Sequence, residues 1–314
     1  MKKSRILFIN IATACIFISG CGGGGDDSSP SNASPAPTTN APTVFLPTVS
    51  VSPATYSDQD LLQAFARVNE IRKQTGLGLI AQNNQLDLAA QRHTNYLVAK
   101  QGLDHFERAD LPYFSGVTWT DRANAAGYTG GIIDEVALIR PVLGAQAVND
   151  FMSTAYHRIP FLNHANFDIG MGAKPSESIT IAGKYFVLNF GYSAYRRQGA
   201  PNTPYVVWPI PGAVTDRVEQ EPESPSPRGA GYAVSIHVDP GKSLMVQSFE
   251  LRENGNVVPS YSLNSRNDPN LAGTGYVAIL SPILKLKNAT IYTANFKGLL
   301  DNQPLVAEWS FSTP

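Results

Sequence analysis

Cysteine is scarce in this sequence, whose 314 residues include two, Cys15 and Cys21. Because both lie near the N-terminus, the rest of the chain has no thiol for a disulfide, a thiolate metal site or a cysteine nucleophile. A surplus of basic residues is also missing: 24 Lys and Arg stand against 25 Asp and Glu, so nothing favours nucleic acid as a partner. After the first 20 residues, no apolar run approaches the roughly 20 residues of a membrane-spanning helix. We therefore expect folded domains whose apolar cores hold without disulfides.

The first 20 residues have the organisation of a bacterial export signal. Lys2, Lys3 and Arg5 precede a mostly apolar stretch, residues 6–18, which is too short to remain as a membrane span. Its end, the sequence Ile-Ser-Gly-Cys closing at Cys21, resembles the lipobox of bacterial lipoproteins. That resemblance implies cleavage before Cys21 and acylation of its thiol. An ordinary cleaved signal with an unrelated cysteine is the alternative.

Residues 21–56 continue with abundant Gly, Ser, Thr and Pro. Such a segment cannot bury enough apolar surface to fold, and its prolines keep it extended. We predict a lipidated Cys21 and a disordered tether, with the membrane as a partner through the lipid. Gly22 follows the cysteine, where aspartate would favour retention at the inner membrane of enteric-type bacteria. The resemblance therefore implies a lipid-anchored protein of the cell envelope at the outer membrane, on its periplasmic or surface face.

The region from residue 57 to 200 begins with helical spacing and ends with alternation. Apolar residues recur at helical intervals in three segments, which predicts helices over residues 57–76, 84–101 and 144–156. Phe167–Met171 and Ile179–Tyr192 then alternate, which predicts a strand and a hairpin turning near Gly183. This order is typical of an α+β domain with helices on both sides of a small antiparallel sheet.

The region from residue 201 to 314 begins with a Pro-rich passage and continues with short strands. The alternating segments are Tyr232–Asp239, Leu244–Arg252, Val257–Leu263, Gly275–Leu280, Thr290–Phe296 and Val306–Ser312. Strands at this spacing predict a small all-β sandwich after a Pro-rich linker. The end of the chain, Ala307–Thr313, resembles the last strand of bacterial immunoglobulin-like modules.

Several spaced motifs stand out in the central region: Leu86-x-x-Ala89-Ala90-x-x-His93, Leu103-Asp104-His105, Asp134-Glu135-Val136-Ala137, Tyr156-His157-Arg158 and Gly170-Met171-Gly172. Together these motifs resemble the bacterial branch of the CAP superfamily, which includes the cysteine-rich secretory and pathogenesis-related proteins. The resemblance implies an α-β-α sandwich, the CAP fold, over residues 57–200. With the C-terminal strands, the predicted fold class is α+β: a CAP sandwich followed by an immunoglobulin-like sandwich over residues 201–314.

The resemblance also implies a cleft. CAP proteins have an open cavity lined by two histidines and two acidic residues, and some bind a divalent metal such as zinc there. Position by position, the matching residues are His105, Glu135 and His157. The second acid has no clear counterpart: Thr154 stands near its expected position, and Asp150 lies one turn earlier. Zinc on His105 and His157 is the cofactor that the resemblance implies; hydrogen bonding within a polar cleft is the alternative.

Other residues are weaker candidates. His93 shares the apolar face of its helix and reads as a packed core histidine. Ser153 lies four residues before His157, the spacing of a nucleophile and base on one helix turn. His164 resembles a second ligand after His157, but Pro160 breaks any helix between them.

Three functions remain open from the sequence. The leading hypothesis is an exported, membrane-anchored, non-enzymatic protein whose CAP cleft binds a lipid, a peptide or a cell-wall fragment. The second is a metal-assisted hydrolase, because two imidazoles and a carboxylate could hold zinc and activate water. The third is a surface adhesin with the β-sandwich as its working part.

Overall fold

The computed structural model describes residues 50–141, 144–180, 182–192, 204–223 and 229–314, without the side chains at positions 132 and 133. The predicted export signal, Cys21 and most of the predicted tether lie outside the described residues, as does the predicted boundary at residues 200–201. Within the described ranges, no helix is both long and apolar enough to cross a membrane.

The chain up to Tyr192 alternates helices with strands. Its elements are α1 (Gln59–Gln74), β1 (Ala81–Gln82), α2 (Asn84–Lys100), α3 (Trp119–Ala125), β2 (Gly131–Arg140), α4 (Ala145–Ser153), α5 (Ile159–Leu162), β3 (Asp168–Pro175) and β4 (Lys184–Tyr192). They form one sheet in the order β1-β3-β4-β2, in which β1 and β3 are parallel and the other pairs are antiparallel.

Alternation along the strands explains why helices cover both faces of this sheet. On β4, Phe186 and Leu188 belong to the cluster that contains the apolar faces of α1 and α4. Tyr185 and Val187 point the other way and belong to the cluster that contains α2. Successive side chains of a strand lie on opposite faces, so a strand buried on both faces needs a layer on each side. The predicted α-β-α arrangement is confirmed.

Glycine permits the close approach of β3 to α2. A Cβ at Gly170 would lie 2.1 Å from the backbone carbon of Leu86, and one at Gly172 would lie 2.5 Å from the backbone nitrogen of Gln91. Any side chain there would push the helix off the sheet. This packing is the physical reason for the Gly-Met-Gly motif.

Some element boundaries differ from the predictions. Helix α1 begins at Gln59, with Asp58 as its N-cap, rather than at residue 57, and α4 ends at Ser153 rather than at residue 156. The hairpin is formed by β3 and β4, and Ile179, predicted within a strand, is fully exposed in their connection. The described end of the predicted tether is docked, because the Tyr56 hydroxyl donates to Asp87 at 2.7 Å.

The C-terminal part contains two antiparallel sheets. Its strands are β5 (Tyr205–Trp208), β6 (Val234–Val238), β7 (Leu244–Glu253), β8 (Asn256–Val258), β9 (Ser260–Asn264), β10 (Val277–Pro282), β11 (Ile291–Leu300) and β12 (Gln303–Ser312). The sheets have the orders β5-β6-β10-β9 and β12-β11-β7-β8. Segment Val257–Leu263, predicted as one strand, divides at Pro259, whose missing N–H cannot join a ladder. The α+β class with a small C-terminal β-sandwich is confirmed.

The two parts share a buried seam. Ala155 and Ile159, which follow α4, pack in one apolar cluster with Ala233, Leu271 and Val277 of the sandwich. The described residues of the passage predicted as a linker are also structured, since β5 pairs with β6 and residues 214–223 contact both parts. We call residues 214–223 the strap.

Candidate functional site

A cavity of about 350 Å³ lies where the sheet, helix α4 and the strap meet. Its walls come from the loop after α2 (Leu103–His105), from β2, from α4 with the turn that follows it, and from the end of the strap (Glu221–Glu223). His105 and His157 both line it, although 52 residues separate them in sequence. Glu135 lies behind His105, so the structure brings all three predicted cleft residues to one region.

On one side of the cavity, His105 rests against a buried carboxylate. Its Nδ1 lies 3.1 Å from Oε1 of Glu135, while the imidazole keeps 38% of its surface exposed. Glu135 is fixed by Arg122, whose Nη2 donates to Oε2 at 2.7 Å. An ionised carboxylate can only accept hydrogen bonds. The neutral imidazole of His105 therefore has its proton on Nδ1, and Nε2 is left as the acceptor.

Behind this pair lies a group that we call the buried quartet: His93, Glu107, Arg122 and Glu135. All four side chains are inaccessible to solvent. Nδ1 of His93 lies 2.9 Å from Oε1 of Glu107, and Nε2 lies 2.9 Å from the carbonyl oxygen of Asp104. Both partners are acceptors, a pattern that the doubly protonated imidazolium satisfies. The quartet thus places one imidazole and one guanidinium against two carboxylates.

These contacts lower the pKa values of the two acids of the quartet. Burial by itself would raise the pKa of Glu135, but hydrogen bonds and charges from His105, His93 and Arg122 outweigh it and hold that pKa below its ordinary value. The pKa of Glu107 is lowered in the same way, against its burial, by His93, the Ser115 backbone and Arg122. Both carboxyls are therefore ionised at neutral pH.

On the other side of the cavity, His157 meets Glu223 of the strap. Nδ1 of His157 lies 2.7 Å from Oε1 of Glu223, and the imidazole is 30% exposed while the carboxylate is buried. Backbone N–H groups of Ala155, Tyr156 and His157 also donate to this carboxylate, at 2.8 to 3.1 Å. Burial would raise the pKa of Glu223, but His157 and these backbone donors keep it below its ordinary value.

Glu223 is therefore the carboxylate that pairs with the second histidine of the cavity. Thr154 and Asp150, the positions considered from sequence, are engaged elsewhere: the Thr154 hydroxyl donates to the Phe151 carbonyl oxygen at 2.7 Å, and Asp150 pairs with arginines. Sequence reasoning missed Glu223 because it stands 66 residues after His157. The one available signal was a pair of acids in the Pro-rich passage, which by itself is typical of a solvated linker.

The family assignment agrees with this geometry. The model of the cysteine-rich secretory protein family, CAP, matches residues 65–190. This part of the chain is a CAP domain. No curated protein matches the chain.

The solved structures that are similar to the chain include two bacterial proteins. An outer surface protein from Borrelia burgdorferi is 16% identical with a TM-score of 0.34, over 44% of this chain and 96% of that one. An extracellular protein with an SCP domain from Bacillus anthracis is 20% identical with a TM-score of 0.36, over 45% of each chain.

The set of donors around the cavity does not fit a zinc site with three protein ligands. Among the described residues, no group of three or more His, Cys, Asp or Glu side chains could hold a metal ion. The oxygens of Glu135 and Glu223 are used by His105, His157, Arg122 and backbone donors. Two imidazoles remain, whereas protein zinc sites use three or four ligands.

The remaining sequence candidates lie outside the cleft's exposed surface. The Ser153 hydroxyl is buried and donates to the carbonyl oxygen of Asp150 at 2.8 Å. His164 is buried at the seam, and burial lowers its pKa to about 4. His93 is buried as predicted, and both of its ring nitrogens lie within hydrogen-bond distance of an oxygen, so it belongs to a polar group rather than to a purely apolar core.

Proposed function

We propose that the protein is an exported, lipid-anchored CAP protein of the cell envelope whose cleft binds a small, neutral, hydroxyl- or amide-bearing molecule. The observation that carries this proposal is the cavity with two part-exposed imidazoles, each fixed at Nδ1 by a buried carboxylate. A concave site of this size with a few oriented polar groups is the usual form of a ligand pocket.

The charges around the cavity favour a neutral ligand. Asp104 pairs with Lys100, and Asp150 and Glu221 both pair with Arg140 and Arg217. An anionic or cationic ligand would have to displace one of these partners. A neutral ligand leaves every ion pair intact, so it avoids the cost of an unpaired charge.

The groups left for a ligand are acceptors and apolar carbon. With Nδ1 protonated, Nε2 of each imidazole accepts a hydrogen bond from a hydroxyl or an amide. Leu103, which is 47% exposed, and Leu138 and Pro222 supply apolar surface in the same walls. N-acetylated sugars of the cell wall combine hydroxyls, an amide and apolar ring faces. We therefore infer a cell-wall glycan fragment as the ligand, in preference to a lipid or a free peptide.

Calorimetry with an N-acetylglucosamine trimer on residues 50–314 tests the ligand. Binding should weaken about ten-fold or more in His105→Ala and in His157→Ala, since each variant removes an acceptor. Tyr261→Ala is the control, because Tyr261 is exposed on the sandwich away from the cleft. The proposal is wrong if the trimer does not bind, or binds the double histidine variant equally. Binding of anionic phospholipid vesicles instead would favour a lipid ligand.

The anchor has its own test. Labelled palmitate should enter the full chain and should not enter Cys21→Ser. Label retained in that variant would show that the lipobox resemblance is misleading. The hydrolase and adhesin alternatives have no observation in their favour among the described residues.

A further inference from the structure

The second histidine of the CAP domain is held from outside that domain. Glu223 lies beyond residues 65–190, yet its carboxylate accepts from Nδ1 of His157 and from the backbone of residues 155–157. Among the described side chains, no other group bonds Nδ1 of His157. The orientation of this imidazole thus depends on where the strap lies.

The strap takes its position from the β-sandwich. The backbone N–H of Thr215 donates to Ser312 at 2.8 Å, and that of Gln220 donates to Ala230 at 3.1 Å. The carbonyl oxygen of Val218 accepts from both Tyr232 and Leu286. Because these bonds attach the strap to the sandwich, the sandwich determines the position of Glu223 at the cleft.

Ion pairs then fasten the strap to the CAP domain. Arg217 donates to Asp150 of α4 at 2.9 Å and also pairs with Glu221. Arg140, at the end of β2, bridges the same two carboxylates at 3.2 and 2.8 Å. Arg140, Asp150, Arg217 and Glu221 thus form a ring of ion pairs beside the cavity. Two of its residues come from the CAP domain and two from the strap.

The segment around His157 is also held by the sandwich. The Tyr156 hydroxyl donates to Asp268 at 2.7 Å, and Nη1 of Arg158 donates to the Ala233 carbonyl oxygen at 2.7 Å. Arg158 is completely buried, with its guanidinium 5.4 Å from the ring centroid of Tyr232. Tyr156 and Arg158 therefore both contribute hydrogen bonds to the seam.

We propose that Glu223 is the positioning residue of His157, and that the β-sandwich is in this way a working part of the CAP cleft rather than a spacer. Glu223 fixes the ring with Nδ1 protonated and Nε2 presented to the cavity. This inference rests on the proposed ligand-binding function for its consequence, but the positioning itself needs no ligand.

The test uses Glu223→Gln in residues 50–314, with Glu219→Gln as the matched control. Glu219 is exposed on the same strap, so its substitution changes the same charge without approaching His157. Long-range ¹H–¹⁵N spectra at pH 8 report which ring nitrogen carries the proton. We expect His157 to be Nδ1-protonated in the parent and in Glu219→Gln, and to shift to a mixture of tautomers in Glu223→Gln. The ring of His105 should stay unchanged in all three.

Two further readouts keep the proposal open to refutation. If Glu223→Gln does not fold, Glu223→Asp retains the charge but is one methylene shorter, and should show the same loss of the fixed tautomer. With the glycan trimer, Glu223→Gln should bind about ten-fold more weakly and Glu219→Gln equally. An unchanged His157 tautomer in folded Glu223→Gln or Glu223→Asp overturns the positioning role. A shifted tautomer without any trimer binding would sink the proposed ligand alone.

Discussion

His105 and His157 present the same arrangement to the cavity, an imidazole with Nδ1 against a buried carboxylate, but they reach it by different means. The carboxylate beside His105 comes from β2 and is backed by the buried quartet within the CAP domain. The carboxylate beside His157 comes from the strap and is backed by backbone N–H groups and a part-exposed ring of ion pairs. The first half is therefore a property of the domain core, and the second is a property of the contact between two parts.

The difference predicts unequal sensitivity to mutation. A fully buried charge network is costly to break, because removing one member leaves another charge without its partner. A part-exposed network lets water replace a lost partner, so its loss costs less. Substitutions around His105 should therefore unfold the protein, whereas substitutions around His157 should detach the strap from the CAP domain.

The largest expected effect is in the quartet. Arg122→Met leaves Glu107 and Glu135 buried without their guanidinium, and we expect it to lower the free energy of unfolding by about 3–5 kcal/mol. Urea denaturation of residues 50–314 measures this. Arg108→Met is the control, since Arg108 pairs with Asp110 at the exposed surface and should change stability little. Equal effects of the two variants would contradict the assignment of the quartet as a core element.

A smaller effect is expected at the strap. Arg217→Met removes the link between Asp150 and Glu221, and we expect a loss of about 1–2 kcal/mol, because the side chain is mostly covered but borders solvent. Hydrogen exchange should accelerate at the backbone amides of residues 155–157, which bond to Glu223. Arg252→Met, at an exposed pair within the sandwich, should leave those amides protected. Unchanged exchange in Arg217→Met would show that the strap is held without this ring.

The two halves were also unequally predictable. Glu135 could be placed beside His105 because the CAP motifs carry both residues at a recognisable spacing. Glu223 could not be placed, because its contact with His157 depends on the pairing of the strap with the sandwich, and no local pattern encodes that pairing. In the quartet, the burial of His93 followed from helical periodicity, but Glu107 lies in an irregular loop that periodicity does not describe.

The same reasoning explains the fold predictions. Strands of the sandwich with one covered and one open face alternate clearly, and β7, β11 and β12 were predicted near their observed positions. β2 was missed because much of it is buried on both faces and gives no alternation. β5 was missed because its four residues lie inside the Pro-rich passage.

Asp134 is next to Glu135 on β2, but at Asp134 neighbouring donors do not outweigh the effect of burial on the pKa. Its Oδ2 is buried with no hydrogen-bond partner, and burial raises its pKa to about 6. Because the folded-state pKa lies above the ordinary value of 3.8, ionisation costs stability above pH 6, and that cost disappears as the pH falls towards 4. Asp134→Asn should therefore be more stable than the parent by about 1–2 kcal/mol at pH 7.5 and nearly equal to it at pH 4. Urea denaturation at both pH values checks this; equal curves at pH 7.5 would contradict the assignment of Asp134 as a buried carboxyl with a raised pKa.

The smallest effect concerns zinc, and it tests whether the two halves act as one metal site. Each carboxylate is committed to its own histidine and to donors behind it, so the cleft offers zinc two imidazoles rather than three or four ligands. We expect calorimetric titration of residues 50–314 to show no stoichiometric binding at micromolar zinc, and no difference from the His105→Ala, His157→Ala double variant. Stoichiometric binding that disappears in the double variant would mean that Glu135 or Glu223 leaves its partners to reach the metal. We would then expect the strap to move rather than β2, since the strap that carries Glu223 is held by part-exposed ion pairs while Glu135 is fixed in the core.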